Sequence, residues 1–407
     1  MDPDENADPR AADVERIWRQ NRCIKGSSIS VYRRWVCRFT EYCRLCALLD
    51  RDELTLAGAL TFVHWWHVRH TTIQLAHAVS SARSALAAWA FALRTLGEPL
   101  PPWDAPAPER PATTLLAQAF AAYLREVRGN PPSTIHKKLG HISIFDAHLR
   151  SSACGSSAVT LQEIDAFVVM CRDRYARTTV ADICSTLRGY VRFLRVSGQV
   201  QNDLAGSIKS PIVRVHERPH RALPWHDVQR ILRAVDRTSA VGRRDYAILL
   251  MMSAYGLGAG EIIRLGLDSI DWHAGTVHVV RPKTGVEFLL PLLPAVASAL
   301  ESYLRHGRPT HTDARQLFVT MNVPHKAFAC SGTIRHILHS AARRAGVTAA
   351  FLGTHVLRHT HACRQLELGT EPKLIGDILG HRDPESTSAY LRVATERLRE
   401  LSLPVPT

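Results

Sequence analysis

Two proline-rich stretches interrupt this chain where no helix can run through. The first is PLPPWDAPAPERP, Pro99 to Pro111, and the second is SPIVRVHERPHRALP, Ser210 to Pro224. Proline lacks the backbone N–H that a helix interior needs, and it pushes the residue before it into extended conformation. The chain must therefore fold in three pieces. Its 407 residues exceed one ordinary domain, so length leads to a similar count. In all three pieces the apolar residues recur mostly at spacings of three and four, the period of an amphipathic helix.

The first two pieces look alike. SSISVYRRWVCRFTEYCR at 27–44 aligns with PSTIHKKLGHISIFDAHLR at 132–150, pairing Ile29 with Ile135 and Phe39 with Phe145. LTLAGALTFV at 54–63 aligns with VTLQEIDAFV at 159–168, and LAHAVSSARSAL at 75–86 with VADICSTLRGYV at 180–191. The offset is 106 in the first block and 105 in the others, which predicts a duplicated helical module.

The third piece differs. LPWHDVQRILRAV (223–235) and RRDYAILLMMSAY (243–255) have helical spacing. TVHVVRPKTGVEFLLPLL, Thr276 to Leu293, is rich in β-branched residues around a KTG turn, which predicts a β-hairpin. From Ser331 to about Leu401 the pattern is helical again, broken at Gly353, at Gly369–Pro372 and at GHRDP.

Charge narrows the partners. Lys and Arg total 51 against 37 Asp and Glu, a formal +14. Such an excess favours a polyanion, because surface cations release counterions from a phosphate backbone. With 46% hydrophobic and 22% charged residues the chain is globular, not disordered. Nine cysteines form an odd, scattered set along a long chain, which suits a reducing compartment better than a disulfide framework. The start, MDPDENADPRAADVER, is too polar for a signal peptide, and no apolar run approaches the ~18 residues of a membrane span. These features lead to the expectation of a cytoplasmic protein.

The densest chemistry lies in GTHVLRHTHACRQLELGTEPKLIGDILGHRDPESTSAYLRV. His355 and Arg358 are three apart and share one helix face. His381 follows in a turn, and Tyr390 comes nine residues later. Two competing readings are weak. His355, His359, His361 and Cys363 could suggest zinc, but no Glu stands in an HExxH position. GLGAG, at 256–260, could suggest a nucleotide loop, but it follows helix-like sequence and has no Lys-Ser/Thr partner.

With HVLRH, LGHRDPESTSAY, the PKTG hairpin and RRDYAILLMMSAYGL leading into GEIIRLGLDSID, the sequence resembles the tyrosine recombinases, the phage-integrase type of site-specific recombinase. The resemblance covers roughly 222–402 and implies a mainly α fold with a small β-sheet or hairpin in the catalytic domain, preceded by tandem helical DNA-binding modules. It implies that Tyr390 attacks a DNA phosphodiester, leaving a 3′-phosphotyrosine and a free 5′-hydroxyl. Covalent catalysis keeps the bond energy, so neither cofactor nor metal is needed. Arg358 would clamp the phosphate, since a guanidinium grips two oxygens at once. His355 would bond the phosphate or assist the nucleophile's proton, His381 would donate to a phosphate oxygen, and Lys283 would protonate the leaving 5′-oxygen.

One position departs from the family pattern G-L-R-x-x-E. Gly256, Leu257 and Glu261 match, but Gly258 stands where the first catalytic arginine is expected. No neighbour looks like a substitute. Arg264, six positions on, would point about 240° around a helix, and Arg243 and Arg244 lie at the far end of the preceding helix. One lost oxyanion donor costs ~10²–10³ in rate. Three readings remain: a substitution that blocks cleavage, a natural DNA-binding subunit that assists an active partner, or an active enzyme with an arginine from elsewhere.

The resulting division is a polar tail at 1–20, an additional helical module at 21–98, a linker at 99–112, a core-binding module at 113–210, a linker at 211–221 and a catalytic domain at 222–402. The modules would clamp double-stranded DNA, and the resemblance implies a tetramer on two DNA sites, formed from copies of this chain or related subunits. Arg33, Arg34 and Arg38 are candidates for extra phosphate contacts.

Overall fold

The computed structural model of the chain describes residues 11–70, 74–103, 114–151, 159–213, 222–281 and 285–380. Four helices come first: α1 (Ala11–Gln20), α2 (Gly26–Leu45), α3 (Leu56–Arg69) and α4 (Leu75–Thr95). The expectation of a polar tail through residue 20 fails at α1. Val14, Ile17 and Trp18 occupy one helical face and are buried, and the Trp18 indole donates to the Ala88 carbonyl at 2.9 Å. Three apolar residues among charged ones are enough when they fall in helical phase.

A second set, α5 (Leu115–Glu126), α6 (Pro132–Ser151), α7 (Leu161–Arg174) and α8 (Arg177–Val196), repeats the first. α2 and α6 each span 20 residues, and α3 and α7 each span 14. Thr55 caps α3 by accepting the Gly58 amide at 3.0 Å, and Thr160 caps α7 by accepting that of Glu163 at 3.3 Å. At the centre of each core two phenylalanines meet edge to face. Phe39 and Phe62 have centroids 5.4 Å apart, and Phe145 and Phe167 5.0 Å. All four are fully buried.

The remainder comprises α9 (Trp225–Arg233), α10 (Ala240–Tyr255), α11 (Ala259–Arg264), β1 (Ile270–Asp271), β2 (Thr276–Val280), β3 (Glu287–Pro291), α12 (Pro294–His306), α13 (Gly332–Arg344), α14 (Val356–Glu367) and α15 (Pro372–Leu379). The three strands form one antiparallel sheet in the order β1-β2-β3. The hairpin register runs from Thr276 opposite Pro291 to Val280 opposite Glu287. α10 lies at the heart of this domain's core, with Ile248, Leu249, Met251 and Met252 fully buried. The chain is thus mainly helical with one small sheet, as its sequence implies.

The residues divide into two compact units. One joins Met1–Ala105 with His220–Thr407, and the other is Pro106–Pro219. Within the first unit, the opening helices are seated on the C-terminal domain. Asn21 bonds the His325 ring at 3.0 Å, Phe91 meets the same ring at 5.4 Å, and Cys23 Sγ lies 3.5 Å from Met321 Sδ. The described part of the first proline-rich stretch is not a free linker. Trp103 is buried in the helical core, and its carbonyl accepts the Leu56 amide at 3.2 Å. A large indole gains more by burial than extended chain loses by being fixed. No described helix is long and apolar enough to cross a membrane.

Candidate active site

The site begins where α10 stops. Gly256, at φ +64°, takes the left-handed conformation that ends the helix. A Cβ there would lie 2.8 Å from Leu379 and 2.9 Å from the His361 ring, so glycine is required by both space and backbone. Two residues on, Gly258 forms the N-cap of α11 with φ −79° and ψ 159°. Its amide donates to Glu261 Oε2 at 2.6 Å. Glycine has no side chain to complete the reciprocal half of a capping box, so Glu261 alone makes the link.

Glu261 is buried and gathers three donors. Besides the Gly258 amide, Arg281 Nη1 donates to Oε1 at 2.6 Å. Arg358 Nη1 approaches both carboxylate oxygens at 3.4 Å. Arg358 also donates to the Gly256 carbonyl at 3.2 Å and to that of Leu379. Arg281 donates to the neighbouring Ile378 carbonyl at 2.5 Å. Two guanidiniums therefore hold the C-terminal carbonyls of α15, where the helix dipole favours cations, and both meet one carboxylate.

Arg281 corrects the expectation that no arginine lies near the vacancy at 258. It follows β2 in phase with Val277 and Val279, which face the core, and like them it is buried. Its guanidinium lies 4.7 Å from the centre of the Phe288 ring. Burial presses its pKa down, and the Arg358 charge does the same, while Glu261 holds it up. The readable signal was the alternation itself, because an arginine in the register of buried valines must find an anion. Arg264 is exposed at the end of α11. Arg244 is committed to Asp245 at 2.7 and 2.9 Å and to the Val319 carbonyl at 3.2 Å.

His355 is the exposed N-cap residue of α14, with Arg358 one turn further along. His361, on the same helix, turns inward. Its Nδ1 donates to the Ser253 carbonyl at 3.0 Å, and burial pushes its pKa down, with the Arg358 charge acting in the same direction. That ring supports the Gly256 turn, which removes it from the zinc grouping that its spacing suggested. Lys283, His381 and Tyr390 lie outside the described residues. The flanks of Lys283 are described: the Gly285 amide donates to the Arg281 carbonyl, and the Arg281 amide to that of Val286, both at 2.9 Å. The Arg38 guanidinium lies over the Trp35 and Trp66 rings at 5.0 and 4.8 Å.

The domain is mainly helical with a three-stranded sheet, and in it Arg358, near the start of the HxxR helix, and Arg281, after β2, meet at the C-terminal carbonyls of α15. Residues 221–397 match the model of the phage integrase family. A Sinorhizobium fredii protein described as an integrase/recombinase, y4rF, is 32% identical over 306 residues, 74% of this chain and 72% of that one. Tyrosine recombinase XerC of Oceanobacillus iheyensis is 29% identical over 298 residues, 70% and 94% of the two chains. Among solved structures, a lambda integrase dimer bound to a COC′ core site matches with TM-score 0.53 at 18% identity, over 68% of this chain and 93% of that one. The Tn1549 transposon integrase in complex with a circular intermediate DNA matches with TM-score 0.53 at 16% identity, over 69% and 99%. The chain belongs to the phage integrase family of tyrosine recombinases, whose work is site-specific recombination of DNA.

Proposed function

We propose that this protein binds a specific double-stranded DNA site and exchanges strands there through Tyr390, at a rate lowered by the glycine at 258. The Tyr390 hydroxyl gives its proton to His355 and its oxygen attacks the scissile phosphorus as the bond to the 5′-oxygen breaks. The leaving oxygen takes a proton from Lys283, and the DNA stays attached through a 3′-phosphotyrosine. Attack by a 5′-hydroxyl on that linkage reverses the step and frees the tyrosine. Charge collects on the non-bridging oxygens, where Arg358, His355 and His381 act as donors. The observation that carries this reading is the Arg358–Glu261–Gly258 cluster, which lies within the span matched by the family model.

The working assembly is a tetramer on two DNA sites, and the setting is a mobile element. Support comes from the lambda integrase tetramer bound to a Holliday junction and from the transposon integrase among the structural neighbours. Gly258 also favours a second reading, in which this chain is a cleavage-deficient DNA-binding subunit that assists an active recombinase. A nicked duplex carrying a site selected from a random pool by the full chain separates the two. A covalent adduct on a denaturing gel, lost in Tyr390→Phe while binding persists, supports strand exchange. Tight, salt-sensitive binding without any adduct supports the assisting subunit.

A further inference from the structure

Arg281 belongs to none of the catalytic motifs, yet it is bonded or packed against most of them. It reaches the GLGAGE segment through Glu261, the end of α15 through the Ile378 carbonyl, and the hairpin turn through its own backbone. Gly380, directly before His381, has φ +64°, and a Cβ on it would lie 2.6 Å from Arg281 Nε. The guanidinium and this glycine therefore fit only as a pair. Arg281 Nε is buried with no hydrogen-bond partner among the described residues. An apolar side chain would fill such a place at less cost in desolvation, so the retained charge calls for a reason.

Charge allocation around Glu261 supplies one. Its two oxygens are taken at 2.6 Å by Arg281 and by the Gly258 amide. Arg358 stands further off, at 3.4 Å from each. With no arginine at 258, Glu261 and Arg358 alone would form a neutral pair, and a DNA phosphate would meet little net attraction. Arg281 brings the cluster to a net positive charge and takes the closer ion-pair position on the carboxylate. We infer that Arg281 neutralises Glu261 and so leaves the charge of Arg358 available to the scissile phosphate, making up part of what the absent arginine would supply. Being buried, Arg281 does not touch the DNA; it is a positioning residue. This inference rests on the strand-exchange reading above.

The test compares the full chain with Arg281→Gln, measuring initial adduct formation on the selected nicked duplex at saturating DNA. One duplex carries a normal scissile phosphate, the other an uncharged methylphosphonate at that position. Arg281→Gln is expected to slow the phosphate reaction by ~10²–10³ and the methylphosphonate reaction by less than about tenfold, because the methylphosphonate transition state carries one negative charge fewer and leans less on Arg358. Equal slowing on both substrates, as a purely structural ion pair would give, overturns the inference, and so does no slowing on either. If Arg281→Gln does not fold by circular dichroism, Arg281→Lys replaces it, since it keeps the positive charge beside Glu261. Arg281→Lys should stay within about tenfold of the unaltered chain on both duplexes, and a loss of ~10² or more on both overturns the inference. Adduct from neither the unaltered chain nor Gly258→Arg would remove the strand-exchange reading itself, and this inference with it.

Discussion

Replacing Gly258 with arginine is the most direct perturbation of this site, and its effect on folding can be estimated first. The backbone at 258, φ −79° and ψ 159°, is extended and open to any L residue. A Cβ there would meet only the Glu261 carboxylate, at 3.6 and 3.8 Å, which is ordinary contact. Losing glycine narrows the unfolded ensemble, a gain of about 0.4–1 kcal/mol. Losing glycine's N-cap preference offsets this by up to about 1 kcal/mol. Stability should therefore stay nearly level, with melting moving by less than about 4 °C. Catalysis should not stay level. A new guanidinium beside the carboxylate that already orients Arg358 adds a donor for the phosphate, and such donors are worth ~10²–10³ in rate. The assay is single-turnover adduct formation on the nicked duplex, with DNA affinity and melting measured on the same preparations. An unchanged rate at unchanged affinity would refute the argument that the vacancy limits cleavage. A fall in melting beyond about 8 °C would refute the claim that the space exists.

Two further outcomes follow from the cores and from the buried histidine. Phe39→Ala and Phe145→Ala each empty the centre of one helical module, so each should cost ~3–5 kcal/mol in denaturant unfolding; a cost below about 1.5 kcal/mol would deny the equivalence of the two pairs. His361 is held neutral by burial, with its folded pKa below the ordinary value of 6.5. A depressed histidine pKa means that the unfolded chain binds the proton first, so its stabilising share is complete above about pH 6.5 and is lost as pH falls toward the folded pKa. Melting measured between pH 8 and 5 should therefore decline less steeply in His361→Asn, which keeps a donor for the Ser253 carbonyl but cannot titrate; equal slopes would count against it.

What the sequence disclosed and what it hid divide along a physical line. Local rules act within a few residues, and they placed the hairpin around KTG, the helices at 225–233 and 240–255, and the repeat whose paired phenylalanines meet in the same way in each module. They also placed His355 and Arg358 on successive turns at the start of one helix, because a spacing of three is a helical property. Neither the helix that ends at Arg264 nor the preceding one that begins near Arg244 supplies a second arginine at the vacancy. Arg281 lies 23 positions beyond Gly258 and arrives across a strand. Alternation in TVHVVR put it on the inner face, yet its partner Glu261 belongs to a different element, and no periodicity connects a strand to a helix cap. Helix α1 hid for the converse reason, since its three buried residues are few and find their core only when α2 and α4 pack against them. A vacancy in a motif is thus poorly judged by its chain neighbours. The relevant question is which buried charge elsewhere lacks an obvious anion, and in this sequence that question leads from Gly258 through Glu261 to Arg281.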